Sequence, residues 1–200
     1  MSLPYPAELR TSPAEGVAEK LRLAGIVLGG TALAAVCAHV VLPLSFTPVP
    51  LTLQPMAVLV LGLLLTPRLA AVTFATYLAE GAMGLPVFAP SAAAPAGLAH
   101  LLGPTGGYLM AYPLAAALIS WLWRRTGRSF TGALISTAVG DAVILLCGGL
   151  WFSVLPHIAT VPALAVLPFL PGDALKVVAA ASLGAGWLRL RRPRAGSHPN

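Results

Sequence analysis

The sequence predicts an all-α polytopic membrane protein: a compact bundle of six transmembrane helices with both termini in the cytoplasm. Three observations predict it. Hydrophobic side chains make up 58% of the 200 residues and charged ones only 9%, whereas a soluble domain carries about 25% charged residues. That is too little polar surface to cover a soluble globule and too much apolar surface for a disordered chain. The apolar residues fall in runs separated by Pro, Gly and Arg, and at ~20 residues per span the length allows about six spans. Finally, eleven of the twelve Lys and Arg side chains lie in segments that a six-span reading puts on one side: Arg10, Lys20, Arg22, Arg68, Arg124, Arg125, Arg128, Arg189, Arg191, Arg192 and Arg194. The positive-inside rule makes that side the cytoplasm. The net charge of +6 therefore reports orientation in a lipid bilayer and implies no nucleic-acid partner.

Each element follows from local signals. Residues 1–20 are polar and contain Pro, which reads as a cytoplasmic tail. Residues 21–190 form the membrane domain, and residues 191–200 a basic cytoplasmic tail. Helix 1 is the apolar run Leu23–Leu44, longer than the ~7–15-residue core of a signal peptide. Pro43, Pro48 and Pro50 end it. Helix 2 covers Leu51–Leu65, and Thr66-Pro67-Arg68 turns the chain into helix 3, Leu69–Ala82. A connection rich in Gly, Pro and Ala, Gly81–Gly103, leads to helix 4, Pro104–Trp123. Arg124, Arg125 and Arg128 mark the next turn, and helix 5 covers Thr131–Val154. The Pro-punctuated segment Leu155–Pro171 precedes helix 6, Gly172–Leu190.

Several chemistries are absent. There is no GxxxxGK[ST], so this chain has no P-loop for ATP hydrolysis. There is no HExxH and no GxSxG elbow. His39, His100, His157 and His198 are scattered, and Cys37 and Cys147 lie in apolar stretches without metal-ligand spacing, so no metal site is expected. Both cysteines read as small core residues.

The charge that breaks the cytoplasmic pattern is Lys176, three residues after Asp173 in LPGDALK and on the same helical face. Charges within a span are costly and usually face a cavity or a partner. One reading has Asp173 capping helix 6 and Lys176 snorkelling to the interface. The other makes them a ligand site at the outer leaflet, Lys176 holding an anionic group and Asp173 accepting N–H donors. Glu80 reads as a solvated interfacial charge near the same face. Asp141, in the cytoplasmic half of helix 5, reads as a partner for an Arg of the preceding turn, outside the ligand site. The connection Gly81–Gly103 is long enough for a lid or binding loop. GPTGGY, which opens helix 4, offers close backbone approach and free N–H groups, or else a plain re-entrant turn. Gly30, Ala34 and Ala38 flatten one face of helix 1 for close helix packing, within the chain or with a partner.

Four motifs, FTPVPLTLQ at 46–54, YLAEGAMGLPVFA at 77–89, GPTGGY at 103–108 and LPGDALK at 170–176, occur in this order. Together they resemble the BioY family, the biotin-binding S components of energy-coupling-factor transporters, over roughly residues 22–190. The resemblance implies a six-helix bundle in a prokaryotic cell membrane that binds biotin near the outer surface. It implies no cofactor of its own. It also implies docking on an energising module, one membrane coupling protein plus two ATPase subunits, which would hydrolyse ATP outside this chain. The family pattern makes Asp173 and Lys176 ligand residues. It makes Gly30, Ala34 and Ala38 the face toward the coupling protein, and it brings Tyr108 into the pocket. Biotin offers two ureido N–H donors, a carbonyl acceptor, apolar rings and a carboxylate. Asp173 suits a ureido N–H and Lys176 the carboxylate. Tyr108 and Phe88 can cover the rings, and Gln54 can donate and accept. The chain departs from the family after GLPVFA, where it reads Pro90-Ser91-Ala92-Ala93-Ala94-Pro95, leaving Ser91 as that loop's polar candidate. It departs again at Leu145, where the family often has Tyr. Two other readings remain from the residues alone: an S component for another small vitamin, and a small membrane enzyme using Asp173, Lys176 and Glu80.

Overall fold

A computed structural model describes residues 13–90, 96–155 and 165–191. Among them are seven helices and one two-stranded ribbon. They are α1 (Pro13–His39), β1 (Val41–Leu42), β2 (Leu51–Thr52), α2 (Gln54–Leu64), α3 (Pro67–Ala82), α4 (Leu98–Leu101), α5 (Gly106–Arg125), α6 (Phe130–Ser153) and α7 (Leu170–Arg191). Two helices, over Gly16–His39 and Phe130–Ser153, are long and apolar enough to cross a membrane.

The helix boundaries follow the expected order, with instructive shifts. α1 starts at Pro13, inside the stretch expected to be tail. Pro suits the first helical turn, and the Ala-, Glu- and Lys-rich residues that follow are good helix formers. The same helix stops at His39 rather than Leu44. Val41 and Leu42 turn extended and pair antiparallel with Thr52 and Leu51. Pro43 disfavours a helical Leu42, so the chain leaves the helix just before it. α3 begins earlier than expected, because Thr66 accepts a hydrogen bond from the Leu69 amide at 3.3 Å with Pro67 in the first turn. Ser129 caps α6 in the same way through the Gly132 amide at 3.0 Å. The short α4 inside the long connection was not anticipated from sequence; four residues are too few to show a helical period.

α5 is the hub, packed on α2, α3 and α6; α7 lies against α2 and α6, and α1 against α2 and α3. Missing side chains allow these close approaches. A Cβ at Gly62 would come within 2.9 Å of Ile119, and Gly140 faces that same isoleucine from α6. The buried residues form two clusters. One holds Leu59, Leu63, Ile119, Trp123, Ala133 and Val177. The other is aromatic, centred on Phe74, Tyr77, Phe88, Tyr108, Tyr112 and Phe152.

α2 is short, with 11 residues, about 16 Å of helix. Gln54 at its start is buried, and β2 ends two residues before it. A cavity opens at this end of α2.

Candidate binding site

The cavity lies over the N-terminus of α2, with about 550 Å³ of empty space counting its open mouth. The ribbon side supplies Val49, Pro50, Leu51 and Thr52. α5 supplies Tyr108, Leu109 and Tyr112, and α6 supplies Ile144 and Leu145. Phe169, Asp173 and Lys176 close the α7 side, Ala89 and His100 come from the long connection, and Thr105 stands at the start of α5. Most of this lining is apolar, with a few polar groups converging from different elements.

Asp173 and Lys176 are the charged part of that lining. Asp173 is 3% exposed and Lys176 8%. The Lys176 ammonium donates to Asp173 Oδ1 at 2.7 Å. α7 starts at Leu170, so Asp173 sits within the first turn and its carboxylate engages Lys176. Of the two readings the sequence leaves open for this pair, the burial of Lys176 goes against the snorkelling one. A buried pair gains little net stability over well-packed apolar residues, because desolvation offsets the attraction. Its presence in a cavity wall therefore points to ligand binding.

Gln54 is 3% exposed and lines the cavity. Its Nε2 donates to the Tyr77 hydroxyl at 2.8 Å, and that hydroxyl donates to the Val87 carbonyl at 2.7 Å. α2, α3 and the start of the long connection are thus tied together behind the wall. Gln54 Oε1 remains an acceptor. Tyr108 lines the cavity with its ring and donates its hydroxyl to the Ala165 carbonyl. Phe88 stands one layer back. It packs edge-on against Tyr77 at 5.4 Å, lies 5.1 Å from the His100 ring and fills the space beside Gly81. Its neighbour Ala89 reaches the cavity instead. Ser91 lies outside the described residues.

Other expected placements change. Gly30, Ala34 and Ala38 are buried within the chain, with Thr73 of α3 against Gly30. The face expected for a partner helix is instead used by the bundle itself. The small residues that α1 leaves exposed include Gly25 and Gly29. Glu80, expected to be solvated, is half-buried and accepts a hydrogen bond from Thr31 Oγ1 at 3.1 Å, joining α3 to α1. Asp141 pairs with no Arg: the ion pairs among the described residues are Arg22–Glu19 and Lys176–Asp173. Asp141 is buried on α6, within electrostatic reach of Asp173 and Lys176 on α7.

Among the cavity residues that the sequence reading did not single out are Thr105, Tyr112 and Phe169. Thr105 lines the site and its Oγ1 is buried with no hydrogen-bond partner. It lies in GPTGGY, so the motif pointed to it. Tyr112 is one helical turn beyond Tyr108, and the i, i+4 spacing was its signal. Phe169 lies four residues before Asp173 in a Pro-rich stretch with no readable period, and its ring centroid is 6.2 Å from that of Tyr108.

Comparison with known proteins agrees with this architecture. Residues 11–193 match the model of the BioY family. The chain belongs to the BioY family. It is 40% identical over 136 residues to the "Probable biotin transporter BioY" of Pyrococcus horikoshii, covering 68% of this chain and 78% of that one. It is 36% identical over 163 residues to the "Biotin transporter BioY" of Thermotoga maritima, covering 81% and 91%. Its structure resembles the crystal structure of the S component for biotin from an ECF-type ABC transporter, with a TM-score of 0.76 and 27% identity. That match covers 88% of this chain and 94% of the other. The family match spans all the described residues, and the four sequence motifs that suggested it meet around or beside the cavity.

Proposed function

We propose that this chain is the substrate-binding membrane subunit of a biotin uptake system. The observation that carries the reading is the buried Asp173–Lys176 pair in the wall of an otherwise apolar cavity, in a chain of the BioY family. Biotin needs an apolar slot for its rings and alkyl chain, an acceptor for ureido N–H groups and a cation for its carboxylate. Asp173 accepts from the ureido ring and Lys176 pairs with the carboxylate. Thr105 Oγ1 and Gln54 Oε1 supply further polar contacts, and Tyr108 and Tyr112 pack along the rings. Phe88 supports that wall from behind, and Ser91 is the long connection's polar candidate for a ligand contact.

The chain crosses the membrane six times, through α1, α2, α3, α5, α6 and α7. Both termini are cytoplasmic, which the one-sided distribution of Lys and Arg supports. The cavity then opens outward. Uptake against a gradient requires energy that a chain without a P-loop does not supply. An energising module of a membrane coupling protein and two ATPase subunits supplies it, and this chain's own step is binding without turnover.

The test is biotin binding to the detergent-purified chain beside Lys176→Ala, with other vitamins as competitors. Tight binding that collapses in the variant and resists the other vitamins is the expected result. Failure of a well-folded wild type to bind biotin overturns the reading. Recovery of ATPase subunits with the tagged chain from native membranes tests the module separately.

A further inference from the structure

Asp141 takes no part in the site described above, yet its position is unusual. It is 7% exposed, and its Oδ1 is buried without a hydrogen-bond partner. It lies on α6 one helical turn before Ile144 and Leu145, on the same helical face as these two cavity-lining residues, without itself lining the cavity. The groups facing it can be counted element by element. From α7, Asp173 and Lys176 act on it electrostatically. From α5, Tyr112 feels both Asp141 and Asp173. α2, which also packs on α6, has no titratable side chain. On α6 itself the other titratable group is Cys147, six residues further on.

The local charge is therefore unbalanced. Lys176 is already engaged by Asp173 at 2.7 Å, and Asp141 adds a second carboxylate with no cation of its own. A ligand carboxylate arriving beside Lys176 makes three carboxylates to one ammonium in a poorly solvated space. Unpaired buried charge is expensive, and such groups neutralise by taking a proton. A metal ion would need several oxygen ligands around Asp141, and the described residues hold no cluster of three or more metal-ligating side chains.

We propose that Asp141 makes binding of an anionic ligand proton-linked: the ligand carboxylate enters beside Lys176 together with one proton, which Asp141 holds. The proton comes from solvent and adds to an Asp141 carboxylate oxygen; no other bond forms or breaks. This rests on the biotin reading above and adds a second bound species to it. The sign follows from mass action. If the liganded site holds one more proton than the empty one, affinity rises as pH falls, by up to about tenfold per pH unit. The rise levels off once the empty site is protonated as well.

The experiment is calorimetric titration of the full chain with biotin, in buffers of different ionisation heat, across a pH series. Biotin amide serves as the uncharged comparison and Asp141→Asn as the variant. Asn keeps the size of Asp and mimics its protonated charge. The expected result is uptake of about one proton with biotin and almost none with the amide. Asp141→Asn should bind biotin with no uptake and a flat pH profile. Wild-type binding without proton uptake overturns the proposal without any variant. Uptake that persists in Asp141→Asn, or that is equal for the amide, also overturns it, as does linkage to sodium concentration in place of pH. A well-folded wild type that binds no biotin overturns the underlying reading and this inference with it, whereas pH-independent binding overturns this inference alone.

Discussion

The two ends of the bundle treat polar groups in opposite ways. At the closed end, short hydroxyl side chains are satisfied by backbone. Ser120 donates to the Leu65 carbonyl at 2.6 Å, Ser136 to Gly132 at 2.7 Å and Thr137 to Ala133 at 2.8 Å. Around them Leu59, Leu63, Ile119, Ala133 and Ala180 pack, and the charge that reaches this end, Arg124, donates to Ser120 Oγ and the Leu65 carbonyl, each at 3.3 Å. At the cavity end, polar groups are larger, some are charged, and one is left open: Asp173, Lys176, Gln54, Tyr108 and the unpartnered Thr105 hydroxyl. Buried polar groups that serve only structure find protein partners. Those that do not are available to a ligand. The difference teaches that the closed end holds the helices together, while the cavity end gives up packing for recognition.

That contrast can be broken from either end. The largest effect is expected at Lys176. Lys176→Ala leaves Asp173 buried without a cation and should cost about 2–5 kcal/mol in biotin affinity. Equilibrium binding, with a thermal unfolding curve as the folding control, measures this. At the closed end, Gly62→Leu drives a side chain into Ile119. It should cost about 1–3 kcal/mol of stability through overpacking, lowering the unfolding temperature while the folded fraction still binds biotin at the wild-type affinity. A shift in affinity there would show that the two ends are not separate. Tyr108→Phe removes the hydroxyl that holds the Ala165 carbonyl and keeps the ring. About 1 kcal/mol of affinity should go with it, read in the same binding assay. Thr105→Val is near in shape and removes a hydroxyl with no protein partner, so stability should stay level or rise slightly while biotin binding weakens by about 0.5–1.5 kcal/mol. The smallest effect is expected at Leu114, which is exposed on α5. Leu114→Ala should change stability by no more than about 0.5 kcal/mol; a larger loss would place that face against something other than lipid.

The helical order and the family motifs are legible in the sequence, because lipid demands long apolar runs punctuated by Pro, Gly and Arg. The i, i+3 spacing of Asp173 and Lys176 in an otherwise apolar stretch is enough to pair them. Gln54 and Tyr108 are found through their motifs. Other residues fail for a common reason. The small-residue face of α1 has the same spacing whether it meets a partner or the chain's own α3, and only tertiary packing distinguishes the two. Phe88 and Ala89 are neighbours in sequence, but the backbone turn decides which one faces the cavity. Asp141 reads as an ion-pair partner for the nearby arginines because they are close along the chain. The rotation of α6 instead buries its carboxylate within electrostatic reach of Asp173 and Lys176 on α7.

By itself, then, the sequence determined the class of solvent this chain is built for, the succession of its helices and the charged pair that interrupts the last of them. Those properties depend on local composition and on helical spacing, which are written along the chain. Tertiary structure alone decided which small residues were consumed by packing, which side chains line the cavity at the start of α2, and that a second buried carboxylate, Asp141, lies within electrostatic reach of Lys176. Those depend on helix rotation and depth, set by side chains far apart in sequence meeting in space.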